Sequence, residues 1–183
     1  AVDPFHGGSH RQFLRGVVAH SRHRWSLVVG KPVHWKWRMR SAPLELAAST
    51  CEVIDADGLP DVVFCSDMLE LAQWRGIVLD RQLMEIPAVV YIHENQRTYP
   101  LRSEARNDFH YGYTNLVSAL VADACWFNSA FHRDDFLRAS KSFVKAMPDA
   151  RDAHDFARLE RRCEVLPPGF DPPPHAVHAA DVG

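Results

Sequence analysis

The 183 residues include only four cysteines, no long apolar run, no excess of charge of either sign and no internal repeat. Each scarcity removes a class of answer. Cys51, Cys65, Cys125 and Cys163 are widely spaced and none forms a CxxC pair, so no zinc or thiol-redox motif is present to be read. Cys65 and Cys125 stand inside the apolar runs VVFCS and ACWFNS, where buried free thiols are expected. A formal charge of −2 and an isoelectric point near 6.6 give no bulk attraction to nucleic acid or an anionic membrane; such a contact has to come from a local patch. No apolar stretch approaches a membrane span, and the N-terminus lacks the basic, apolar and small-residue regions of a signal peptide, so the chain reads as cytoplasmic with no membrane partner. It begins without methionine at AVDPF, where a strand is already ending, and reads as a trimmed or excised fragment.

What is present is a globular composition. With 46% hydrophobic and 24% charged residues, the chain can bury one sizeable core, and its length favours one domain. Short apolar runs recur as WSLVV (25–29), DVVFCS (61–66), AVVYIH (88–93), ACWFNS (124–129) and CEVLP (163–167). Between them, HRQFLRGVVAH, TNLVSALVADA and DDFLRASKSFVK place apolar residues at helical spacing. Strands without polar alternation, separated by amphipathic helices, predict an α/β fold with a doubly wound parallel sheet buried on both faces. With Ala1 to Asp3 as the end of a first strand, the sheet has about six strands. The domain is expected over 1–169, and the proline-rich 170–183 as a linker or tail.

In open parallel sheets, ligands bind outside the carboxyl ends of the strands. Polar clusters follow these runs at Asp3 to Ser9, Ser66-Asp67, His93 to Gln96, Asn128-Ser129 and Pro167 to Gly169. Five loops thus converge on one rim. Gly7 and Gly8 allow close backbone approach and Ser9 is a candidate helix cap, an arrangement that favours a phosphate, although a plain tight turn has the same pattern. His93, Glu94, Asn95 and Gln96 mix imidazole, carboxylate and amides, which suits hydroxyl recognition or acid–base work. No HExxH pattern follows, and a metal cluster of His93 and Glu94 with Asp108 and His110 is only weakly indicated by spacing; no metal is expected.

HWKWRMR interleaves Trp35 and Trp37 with Lys36, Arg38 and Arg40. Exposed aromatics stack on unpaired bases while nearby cations hold phosphates. The alternative is a loop leading into the helix SAPLELAAS, with one Trp packed under the sheet and the cations solvated.

The segments PFHGGSHRQFL, HWKWRMRSAPLELA, YIHENQRTYP, NDFHYGYTNLVSALVADACWFNSAFHRDDFL and the MPD at 147–149 resemble the N-terminal half of the glycosyltransferase-like domain-containing family, whose animal members are tRNA-queuosine mannosyltransferases. The resemblance runs to about Gly169, where PPGFD is similar to the PxGxD turn that leads into a second domain. It implies a Rossmann-like N-terminal half of a retaining GT-B glycosyltransferase, with the C-terminal donor-binding domain absent here and the isolated fragment inactive. It further implies a nucleotide-sugar donor such as GDP-mannose, a tRNA acceptor and no cofactor. By position, His93 and Glu94 would be catalytic; Gly7, Gly8, Ser9, Asn95, Gln96, Asn128 and Ser129 would meet donor phosphate or sugar; and Trp35, Lys36, Trp37, Arg38 and Arg40 would meet RNA. The competing reading is a non-catalytic RNA-binding module using HWKWRMR.

Overall fold

A computed structural model of the chain describes residues 1–78, 80–98, 109–152 and 154–169. Strands and helices alternate as β1 (Val2–Asp3), α1 (Gly8–His20), β2 (Val28–Val29), α2 (Trp35–Asp57), β3 (Val63–Ser66), α3 (Leu71–Val78), α4 (Arg81–Glu85), β4 (Ala88–Ile92), α5 (Phe109–Val121), β5 (Ala124–Phe127), α6 (Ala130–Lys145), α7 (Phe156–Glu160) and β6 (Cys163–Val165). The six strands form one sheet in the order β2-β1-β3-β4-β5-β6, and every pairing is parallel. The fold is the Rossmann-like α/β arrangement expected from the unalternating apolar runs.

Successive strand residues face opposite ways, and both faces are apolar. Val63, Cys65, Ala88, Val90, Ile92, Cys125 and Phe127 pack with Ala42 and Leu46 of α2, Leu71 and Trp74 of α3, Leu116 and Ala119 of α5, and Phe136 and Phe143 of α6. Phe64 and Tyr91 point the other way and pack against Leu14 of α1, with Phe13, Val18, Trp25, Val89 and Trp126 around them. Cys65, Cys125 and Cys163 are buried free thiols, and Cys51 is exposed.

Two helices begin earlier than their apolar patterns indicate. α5 starts at Phe109 and not at Thr114. α2 starts at Trp35, so HWKWRMR is not a loop: it forms the first turns of a 23-residue helix. Pro43 lies inside that helix and cannot donate to the carbonyl of Met39. Neither tryptophan of the motif is packed under the sheet; Trp35 is 38% and Trp37 65% exposed.

Because all strands run the same way, the helices that follow them begin at the carboxyl edge of the sheet. The order places β1 beside β3, with the chain leaving β1 toward β2 and returning to β3 on the other side. That reversal opens a crevice between their carboxyl ends, the place where such sheets bind ligands.

Candidate active site

The floor of the crevice is built by β1, β3 and β4. Asp3, buried at the end of β1, accepts hydrogen bonds from Ser66 Oγ at 3.0 Å and pairs with His6 Nδ1 at 2.9 Å. His10 Nδ1 stands 3.8 Å from the other Asp3 oxygen. The His10 ring lies against that of His93, centroids 4.0 Å apart, and Phe13 and Tyr91 enclose His93 at 5.0 and 4.9 Å. His10 is brought there by α1: it falls one turn before Phe13 and Leu14 and shares their inward face.

Asp67, just past β3, is fully buried beneath this pair. Its Oδ2 accepts from the Glu94 amide at 3.4 Å, and Asn115 Nδ2 of α5 donates to its carbonyl at 2.8 Å. Burial pushes the Asp67 carboxyl up to about 8, although backbone amides of His93 and Glu94 oppose the shift. Burial likewise drives His93 down to about 3, helped by the neighbouring imidazoles of His10 and His132. At neutral pH His93 is therefore an uncharged ring with one donor and one acceptor nitrogen. Glu94 is raised by burial, against a hydrogen bond from Gln96. Ligand atoms of His10, Asp67 and His93 lie within 4.8 Å of one another, a set of two imidazoles and one carboxylate that could hold a divalent transition metal. The cluster weighed from sequence is different: Asp108 lies outside the described residues, and His110 stands on α5.

Beside His93 opens a cleft of about 650 Å³, lined by Ser9, Gln12, Phe13 and Val17 of α1, by Tyr91, His93 and Glu94, and by Asn128, Pro168 and Gly169. Asn128 Nδ2 donates to the His93 carbonyl at 3.3 Å, and Ser129 Oγ donates to Asn128 Oδ1 while capping α6 through the His132 amide. His93, Glu94, Ser9 and Asn128 thus meet at one opening. Gly7 and Gly8 directly precede Ser9 in the chain but do not themselves line the cleft. A Cβ on Gly7 would fall 2.3 Å from Pro32 Cβ, and Gly8 holds a left-handed φ of +52°. Ser9 is not the cap anticipated: Gly7 is the N-cap residue, with no side-chain hydrogen bond. The first amides of α1 keep no acceptor within the helix.

Two anticipated residues turn elsewhere. Asn95 is buried, donates to Asp135 Oδ2 at 2.6 Å and accepts from the Arg97 amide at 3.1 Å, so its amide ties the loop to α6 and does not face the cleft. Arg38 is buried and paired with Glu45. Met39 is buried as well and Arg40 is half-buried, whereas His34, Trp35, Lys36 and Trp37 lie on the surface, where Trp35 meets Tyr111 of α5 at 5.1 Å. Asp3, His6, His10, Asp67, Asn115 and Tyr111 were given no site role from sequence. Asp3, His6 and Asp67 belong to the polar clusters at strand ends, and the helical spacing of His10 to Phe13 and Leu14 points His10 to the same inward face.

No solved structure matches the chain. It is 34% identical over 166 residues to the tRNA-queuosine alpha-mannosyltransferase of Drosophila melanogaster, an alignment that covers 90% of this chain. The chain spans 42% of that relative's length. The family model for the N-terminal part of tRNA-queuosine alpha-mannosyltransferase matches residues 1–170, and the chain belongs to that family.

Proposed function

We propose that the chain is the acceptor-side N-terminal domain of a retaining GT-B glycosyltransferase, which moves mannose from a nucleotide sugar such as GDP-mannose onto queuosine in tRNA. The observation that carries this reading is the cleft of about 650 Å³ that runs along α1 from Ser9 to His20 and is lined opposite by His93 and Glu94 after β4 and by Asn128 after β5. The reaction breaks the anomeric C–O bond to the nucleoside diphosphate and forms one to a hydroxyl of the acceptor, whose proton must leave. Negative charge growing on the departing phosphate is met by the unpaired amides of the first turn of α1 and their positive dipole end. Gly7 and Gly8 let the backbone come close to it. An uncharged His93 offers one donor and one acceptor, which match a sugar hydroxyl. Glu94, half-buried beside it and raised by burial, is the group positioned to accept the hydroxyl proton. Gln96, Asn128 and Ser129 hold these two in place. Most of the nucleotide is held, in this reading, by the length that the Drosophila relative has beyond the match.

A module that only binds RNA accounts for the exposed Trp37 but leaves the cleft without a role. Transfer is tested by incubating the full-length protein with queuosine-containing tRNA and a panel of nucleotide sugars, then weighing the digested nucleosides. The expected result is queuosine heavier by one hexose with one donor; no added mass with any donor would overturn the transferase reading.

A further inference from the structure

Among the described residues, every exposed Phe, Tyr and Trp (Trp35, Trp37, Phe109, Tyr113 and Phe131) lies in the first two turns of α2, α5 or α6. These helices follow β2, β4 and β5, so all five rings stand on the carboxyl rim of the sheet, on the side opposite α1. Exposed aromatic surface gathered on one rim marks an interaction site. At α2 and α5 it is combined with cations. Trp35 and Tyr111 pack at 5.1 Å; Lys36 Nζ lies 5.6 Å over the Trp35 ring and 5.9 Å over Tyr111; and the Arg40 guanidinium lies 6.0 Å over Tyr111. Trp37, two residues on, is 65% exposed.

We propose that the first turns of α2 and α5 form one platform for unpaired nucleotides of an RNA loop, in which Tyr111 works with Trp35, Lys36, Trp37 and Arg40, and Arg38 does not. The inference rests on the tRNA reading above and names the residues that would hold the nucleotides flanking the target. The exposed Trp35 and Trp37 beside cations match bases and phosphates together, with half-buried Tyr111 backing Trp35, whereas a paired duplex offers no free base face. Lys36, with Arg40 held loosely at 3.9 Å from Glu70, also argues for a polyanion over an apolar protein surface. Arg38 serves the helix through Glu45 and is too buried to reach a phosphate. The platform connects to the reaction site: Tyr111 and Asn115 are neighbours one turn apart on α5, and Asn115 holds the carbonyl of Asp67 beneath His93.

The test is binding of this chain to an RNA hairpin with an unpaired loop and to its fully paired counterpart, with Trp37→Ala, Tyr111→Leu and Arg40→Gln. The wild type is expected to prefer the hairpin. Each of the first two variants should weaken it by about 5- to 150-fold, and Arg40→Gln should lower the salt slope by about 0.7, with melting temperatures kept. Hairpin binding that survives all three substitutions overturns the platform and leaves the tRNA reading standing. A wild type that binds neither RNA overturns both. Self-association that Trp37→Ala abolishes, with RNA affinity intact, makes the rim a protein interface and also overturns the proposal.

Discussion

Asp67 is sealed from solvent at the end of β3, where it accepts a backbone amide through one oxygen and leaves the other without a partner. Burial raises its carboxyl from 3.8 to about 8. Across that window the unfolded chain has released the proton and the folded one keeps it, so this group's contribution to stability is full below the lower value and declines as pH rises toward the upper one. Asp67→Asn cannot ionise. Melting curves taken across the window should show the variant gaining on the wild type as pH rises; a constant difference would mean that Asp67 is ionised in the fold. His93 has the opposite sign. Its ring, lowered from 6.5 to about 3, refuses a proton that the unfolded chain accepts, so its contribution is lost as pH falls between those values. Between 3.8 and 6.5 the two slopes oppose each other, so His93 acts alone below that range and Asp67 alone above it.

The loop after β4 hangs on α6. Asp135 accepts from Asn95 and Thr98 and pairs with Arg138, and although burial works against ionisation, these hydrogen bonds and the Arg138 charge hold its carboxyl below the ordinary range. Asp135→Ala leaves the Asn95 and Thr98 donors without their acceptor, at a cost of about 1–3 kcal/mol, and frees the segment that carries His93 and Glu94. Melting temperature and sugar transfer should both fall, whereas Arg138→Gln, whose side chain is 70% exposed, should change melting little. Unchanged transfer in the alanine variant would mean that the anchor does not position the site. Sequence alone placed Asn95 among the cleft residues because an amide in HENQ looks the same whether it meets a sugar or an aspartate on another helix. The partner is 40 positions away. The start of α2 was hidden for a local reason: His34, before it, is left-handed and makes no side-chain cap, while Pro43 mimics a helix's first turn and draws the expected boundary to Ser41.

The parallel sheet was legible because burial on both faces leaves strands as unbroken apolar runs, such as AVVYI, and because one rim then has to collect the polar ends. The same logic located His93, Glu94 and Asn128. It did not reveal that His10 and Asp67 close around His93, since that contact arises only when α1 and β3 fold onto β4. The rim therefore carries two features: a cleft between α1 and the ends of β4, β5 and β6, and an aromatic cluster on α2 and α5 across the sheet. The measurement that tests the cleft most directly is single-turnover sugar transfer to tRNA by the full-length protein carrying His93→Ala. The account predicts a rate lower by at least about 100-fold with tRNA affinity kept, a loss larger than the removal of the His93 packing against His10, Phe13 and Tyr91 causes through the folded fraction. A wild-type rate, or a loss that merely follows a fall in melting temperature, would contradict it.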